Sequence, residues 1–167
     1  MIRLYFSLPL FLVLLFISSC NKSEFSNKKI IGETAIVNIE DKNFSCLSRV
    51  DTGATSTSIH ALNIKIEGGV EKHEDNIGKK ITFDIVNDLD IKKSIETTIE
   101  DVDIIKNTQG REKRYTVRLK VGWHGFYKEI SVNLRDRSKM EYKILIGRRF
   151  LSNDFLVDVT KSEDKKK

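Results

Sequence analysis

Apolar and polar residues alternate with a period of two along much of the chain, the period that puts one face of a β-strand in a core. Ile81, Phe83 and Ile85 alternate with Thr82 and Asp84, and Tyr115 to Val121 repeats the pattern around Val117 and Leu119. Ile95, Thr97 and Ile99 keep it within a Thr-, Ile- and Val-rich stretch that runs to Ile105. Further strands are predicted over 36–39, 44–50, 58–66 and 126–134, with a short apolar strand at 144–146 and a closing one at 155–159. Turn residues separate them: Glu40 to Asn43, Gly68-Gly69, Asn87-Asp88, Lys106 to Gly110 and Trp123-His124-Gly125. Val70 to Gly78 is polar and reads as a loop. Helix is expected only as one or two turns within Arg148 to Asn153, and no long amphipathic helix or repeat occurs. The expectation is an all-β, small closed or sandwich-like domain with one short C-terminal helix.

The N-terminus breaks this pattern. Arg3 precedes a nearly unbroken apolar run from Leu4 to Ile17, which ends in Ile17-Ser18-Ser19-Cys20. The run is short for a membrane span and has the flanks of an export signal. Its ending resembles the bacterial lipobox, so residues 1–20 are expected to be a lipoprotein signal peptide with Cys20 lipidated. An ordinary signal peptide cut nearby, or an uncleaved anchor, are the other readings. Acyl chains on Cys20 would hold the protein on a membrane, each buried methylene adding about 0.8 kcal/mol. Residues 21–30 are Asn-, Lys- and Ser-rich and read as a flexible tether. The expected location is the bacterial cell envelope. Asn21 behind the Cys, in place of Asp, favours the outer over the inner membrane by the retention logic of such lipoproteins.

Charge and cysteine content add little to this. The net charge is +5, with acids and bases interspersed and part of the excess in the tail 161–167. No basic stretch interleaved with aromatics suggests a nucleic-acid partner. Cys46 is the one cysteine besides Cys20, so no disulfide forms within the mature chain, and its strand-like context predicts a small buried residue.

The chemistry concentrates at Asp51-Thr52-Gly53-Ala54, where an apolar-rich run ends in a carboxylate on a tight turn. Downstream come Thr57-Ser58-Ile59-His60-Ala61, Arg111 to Tyr115, Val132 to Arg137, Met140, Ile144-Leu145-Ile146-Gly147-Arg148 and Phe155 to Asp158. In this order the motifs resemble the retropepsin-like aspartic peptidases. Within these they resemble a bacterial branch labelled an ATP-dependent zinc protease or RimK/LysX-associated protein. The resemblance implies a retropepsin-like closed β domain over residues 31–160, with the Ile144 strand beside the Asp51 turn and Arg148 opening the helix behind it.

What the resemblance implies about roles follows from the reaction. Such peptidases hold a water between two carboxylates that share one proton, because close like charges do not both ionise. Asp51 is the implied catalytic carboxylate; Thr52 braces the paired loops, Gly53 permits the tight turn and Ala54 leaves room for substrate. A single motif gives one carboxylate, which implies a homodimer with the loops meeting on a two-fold axis. His60 is expected to lean into the site or to orient the Asp51 loop from behind. Gly147 and Arg148 support that loop; Arg135 and Arg148 are expected to pair with Asp136 and Asp158, or with an acidic substrate group. Asn107, Thr108, Gln109 and Gly110 form the candidate flap, with Gly68 to Gly78 competing for that role. His60, His73 and His124 are scattered and no His-Glu-x-x-His is present, so no metal ligands are assigned. No phosphate loop points to a nucleotide, and no cofactor is expected. The readings left open are a membrane-tethered aspartic endopeptidase acting on a peptide or protein substrate, a non-catalytic peptide- or envelope-binding lipoprotein, and a zinc metallopeptidase.

Overall fold

A computed structural model describes residues 27–41, 43–107 and 110–164. The export signal, Cys20, most of the tether, Thr108 and Gln109 of the candidate flap and the last three lysines lie outside the described residues. In chain order the elements are β1 (Lys29–Gly32), β2 (Thr34–Ile39), β3 (Ser45–Val50), β4 (Thr57–Ile66), β5 (Lys80–Val86), β6 (Lys92–Asn107), β7 (Gly110–Trp123), β8 (Phe126–Arg135), β9 (Ile144–Ile146), the single-turn helix α1 (Arg148–Leu151) and β10 (Phe155–Asp158). The domain is all-β, as the alternation predicts. Eight strands form one sheet in the order β2-β3-β9-β4-β5-β6-β7-β8, and extra pairings of β2 with β7 and of β4 with β8 turn it back on itself.

The inward positions of the alternating strands fill the interior. Val37, Ile39, Ile81, Phe83, Ile85, Ile99, Val117, Val121, Val132, Ile144 and Ile146 are all buried. β4 serves two neighbourhoods. Thr57 to His60 run parallel to β8, Ala61 to Ile66 pair antiparallel with β5, and a bulge near Asn63 (φ 53°) marks the bend. Behind the sheet, Phe150 of α1 stacks on Phe155 at 5.0 Å between centroids, and Phe126 meets both edge-on. That cluster ties the short helix to β8 and β10.

Three boundaries differ from the sequence reading. The tether ends earlier than residue 30, because Lys29 and Ile30 already belong to β1, which pairs in parallel with β10. A four-residue strand whose partner lies at the other end of the chain leaves no local alternation to read. The charged tail does not begin at 161 as a solvated end: Lys161 O accepts from Glu33 N at 2.8 Å, and Glu163 is fixed against Thr34, Ile36 and Trp123. The loop from Val70 to Gly78 carries a 3-10 turn at His73–Asn76. Buried Asn76 fastens it, bonding both the N–H and the C=O of Val70 and the Tyr115 hydroxyl. Among the described residues, no helix is long and apolar enough to cross a membrane.

Candidate active site

β9 lies between β3 and β4, parallel to the first and antiparallel to the second. This insertion holds the Asp51 turn. Asp51 N donates to Ile146 O at 2.9 Å, and one oxygen of its carboxylate, Oδ1, accepts from Gly53 N at 2.8 Å and Ala54 N at 3.2 Å. Arg148 N and Arg149 N donate to Ala54 O and Thr55 O, and Gly147 N donates to the buried Thr57 hydroxyl at 3.2 Å. The Arg148 guanidinium spans the same loop, donating to Thr52 O, Gly53 O and Thr55 Oγ1 at 2.8–2.9 Å. The carboxylate is thereby fixed by backbone donors while Thr52 and Gly53 stay exposed at the surface.

Asp51 opens onto a groove of about 580 Å³. One wall is the β6–β7 hairpin, through Ile104, Ile105 and Lys106; the opposite wall is the loop from Gly53 to Ser56. Three arginines line the groove: Arg114 from β7, Arg135 from the end of β8, and Arg137 just beyond it. Asp51 is the one carboxylate among the described lining residues. Glu112 lies beside Arg114 at 2.6 Å and Arg135 at 3.5 Å. Arg137 is 6 % exposed and, among the described residues, has no ion-pair partner; its Nε donates to Tyr142 O at 3.0 Å. Burial, and then the like charges of Arg135 and Arg114, push its guanidinium below the ordinary value, while Asp51 acts in the opposite direction. Ser58 Oγ and Arg114 Nε are buried without a hydrogen-bond partner. An uncompensated buried guanidinium beside orphaned polar atoms is costly unless a ligand completes it.

A family model described as RimB-like, retropepsin-like aspartic endopeptidase RimB, matches residues 30–167. The chain belongs to this family. It is also 34% identical over 123 residues to a probable alpha-L-glutamate ligase of Shewanella halifaxensis, and 27% identical over 137 residues to one of Desulfotalea psychrophila. Those matches take in 69% and 78% of this chain but only 25% and 28% of the relatives, so the chain spans about a quarter of their length. A crystal structure of a Legionella pneumophila protein of unknown function superposes with a TM-score of 0.64 at 28% identity, covering 84% of this chain and all of that one.

Asp51, Thr52, Gly53, Ala54, Gly147 and Arg148 come together in one loop assembly. His60 does not orient that loop; its Nδ1 accepts from Arg137 N at 2.9 Å and so fixes the turn after β8. Arg148 pairs with loop carbonyls and not with Asp158, whose carboxylate takes Thr160 and Lys161 instead. Arg135 pairs with Glu112 and not with Asp136, whose carboxylate caps Ser138 N. The hairpin containing Asn107 and Gly110 is the one whose strands reach the groove; the competing loop from Gly68 to Gly78 packs on β7, where His73 stacks on Tyr115 at 4.8 Å. Cys46 is buried in β3. Sequence reasoning missed Arg114, Arg137, Ser58 and Lys106 as groove residues. Arg114 and Arg137 lay inside recognised motif stretches, Arg111 to Tyr115 and Val132 to Arg137.

Proposed function

We propose that this chain is an aspartic endopeptidase that acts as a homodimer, tethered to the cell envelope through Cys20, on peptides carrying acidic side chains. The observation that carries the catalytic part is the Asp51 carboxylate, fixed by the Gly53 and Ala54 N–H groups at a groove whose described lining residues include no second carboxylate. A two-fold partner supplies the second Asp51. The shared proton then leaves one carboxylate to take a proton from the lytic water and the other to polarise the scissile carbonyl. The hairpin ending at Asn107 and Gly110 acts as the lid that excludes bulk water. Substrate charge follows from Arg114, Arg135 and Arg137, whose excess of positive charge and unpaired N–H groups fit a carboxylate. The naming of its relatives as glutamate ligases agrees with a glutamate-containing substrate.

The test incubates the mature protein and its Asp51→Asn variant with matched Glu- and Gln-containing peptides, and measures oligomeric state by sedimentation. Wild type should cleave the Glu peptides preferentially, and the variant should lose about 100-fold or more of kcat with its fold intact. Equal cleavage by both proteins would remove the aspartic mechanism. Cleavage by a strict monomer would remove the dimer, and binding without cleavage would leave the module reading.

A further inference from the structure

His60 is buried, and its ring accepts from the turn after β8, a position with no task in the proposed hydrolysis. We propose that His60 is a positioning residue for substrate binding: its neutral imidazole holds the turn after β8 so that Arg137 faces the groove. The proposal rests on that groove being the site for an acidic substrate.

The geometry is a two-point suspension. β8 runs beside β4 in register, with Arg135 opposite His60, and ends there. The chain then turns through Asp136 and Arg137. Arg137 N donates to His60 Nδ1 at 2.9 Å, and Arg137 Nε donates to Tyr142 O at 3.0 Å. The backbone end and the head of Arg137 are thus both tied, which leaves the terminal guanidinium nitrogens for a ligand. A ring nitrogen that accepts is unprotonated, so the imidazole carries its single proton on Nε2. His60 is 3 % exposed. Burial is the main influence holding its pKa below the ordinary value; Lys143 and Arg137 act the same way, while Asp136 and a backbone hydrogen bond with Arg135 oppose them. Asp136 Oδ1 waits 3.6 Å from Nδ1. A proton arriving at Nδ1 sets two donors against each other and turns the ring towards that carboxylate. The Arg137 backbone is then released, and the groove loses its alignment for an anionic side chain.

The test measures peptide affinity by fluorescence anisotropy in an Asp51→Asn background, where nothing is cleaved. The peptide carries cysteate, whose sulfonate does not titrate, and is compared with its asparagine counterpart from about pH 7.5 to about pH 5. With His60 present, the cysteate peptide should bind about 10-fold or more tightly at the upper pH and lose that preference on acidification. His60→Asn places an amide oxygen where Nδ1 was, so it should keep the preference and flatten its pH dependence. His60→Leu should abolish the preference at every pH. Nitrogen NMR of the imidazole in the unmutated protein tests the same point without relying on a variant's folding: Nδ1 should be unprotonated at neutral pH. A cysteate preference that survives His60→Leu, or a proton found on Nδ1, would overturn the proposal while leaving the acidic-substrate reading intact. No preference with His60 present would overturn both.

Discussion

Gly147 stands where a methyl group has no room, and the atoms it would strike belong to the loop that carries Asp51. A Cβ built there lies 2.5 Å from Ser56 O, 2.6 Å from Ser56 C and 3.0 Å from Ala54 O. All three are backbone atoms, so no rotamer change relieves the contact. The backbone angles, φ −97° and ψ 178°, suit alanine as well as glycine, so the penalty of Gly147→Ala is steric and not torsional. Restoring an ordinary contact of 3.4 Å requires the loop and β9 to separate by roughly 1 Å. The Gly147 N to Thr57 Oγ1 and Arg148 N to Ala54 O bonds sit across that gap and would lengthen with it. Overpacking of this kind costs about 1–3 kcal/mol, and each kcal/mol lowers Tm by about 2–4 °C for a domain near this size. Displacement of a catalytic group by about 1 Å costs about 100-fold in rate. Thermal melts followed by circular dichroism, with kcat and KM on a cleaved peptide, separate the two effects. The variant should fold, melt several degrees lower, and lose kcat far more than KM. An unchanged Tm with unchanged kcat would refute the close approach of β9 to the loop; loss of KM alone would refute its role in placing Asp51.

Other consequences test neighbouring parts of the site and fold. Arg148→Lys keeps the charge but not the fork that reaches Thr52 O, Gly53 O and Thr55 Oγ1. It should lower kcat by about 10-fold, with a Tm change of only a few degrees because the residue is exposed, as read from parallel kinetics and melts. His60 has a folded pKa below 6.5, so between that folded value and 6.5 the unfolded chain binds more protons. Its contribution is therefore fully present above about pH 6.5 and is lost as pH falls towards the folded value; denaturant midpoints over pH should show that slope in wild type and not in His60→Asn. Glu163 accepts from Ile36 N at 2.6 Å and Trp123 Nε1 at 3.0 Å and bonds His124 at 2.6 Å. Glu163→Ala should cost about 1–3 kcal/mol and make residues beyond Thr160 more susceptible to a broad-specificity protease, with Asp51 chemistry unaffected.

Local periodicity made the strands legible, and long-range pairing hid what it did not show. The Ile81-Phe83-Ile85 and Tyr115-to-Val121 alternations predict β5 and the core of β7 within a residue or two, because each buries one face. β7 nonetheless starts at Gly110. Its charged first half, Arg111 to Arg114, alternates no apolar residues and is held by β6 across the hairpin from Lys106 to Asp103. β1 was invisible because its partner is β10, more than a hundred residues away. At the site, the Asp51 turn and the Ile144-to-Arg148 stretch were readable as an ordered pair of motifs. Partners of individual side chains were not. Sequence adjacency suggested Asp136 for Arg135, but β8 ends at Arg135, the Asp136 carboxylate turns to Ser138 N, and Arg135 reaches Glu112 of β7 instead. Arg148 likewise heads a helix that aims it back at the loop.

The two halves of the site rest on different parts of the sheet, and this has an energetic consequence. Asp51 is placed by β3, β9 and the first residue of α1. The arginines are placed by β7, by β8 and by the His60-braced turn that follows it. Arg114 and Asn133 are linked across β7 and β8 at 3.3 Å, and Glu112 lies beside both Arg114 and Arg135. β4 links the loop to this basic wall through its pairings with β9 and β8, but Gly147 and His60 share no hydrogen-bond partner. Perturbing Gly147 and perturbing His60 should then act nearly additively in free energy, the first on the rate of bond cleavage and the second on affinity for charge. A strong coupling between them would mean that Arg137 acts on the Asp51 carboxylate itself and not on substrate alone. The opposing influence of Asp51 on the Arg137 guanidinium makes that the alternative to exclude.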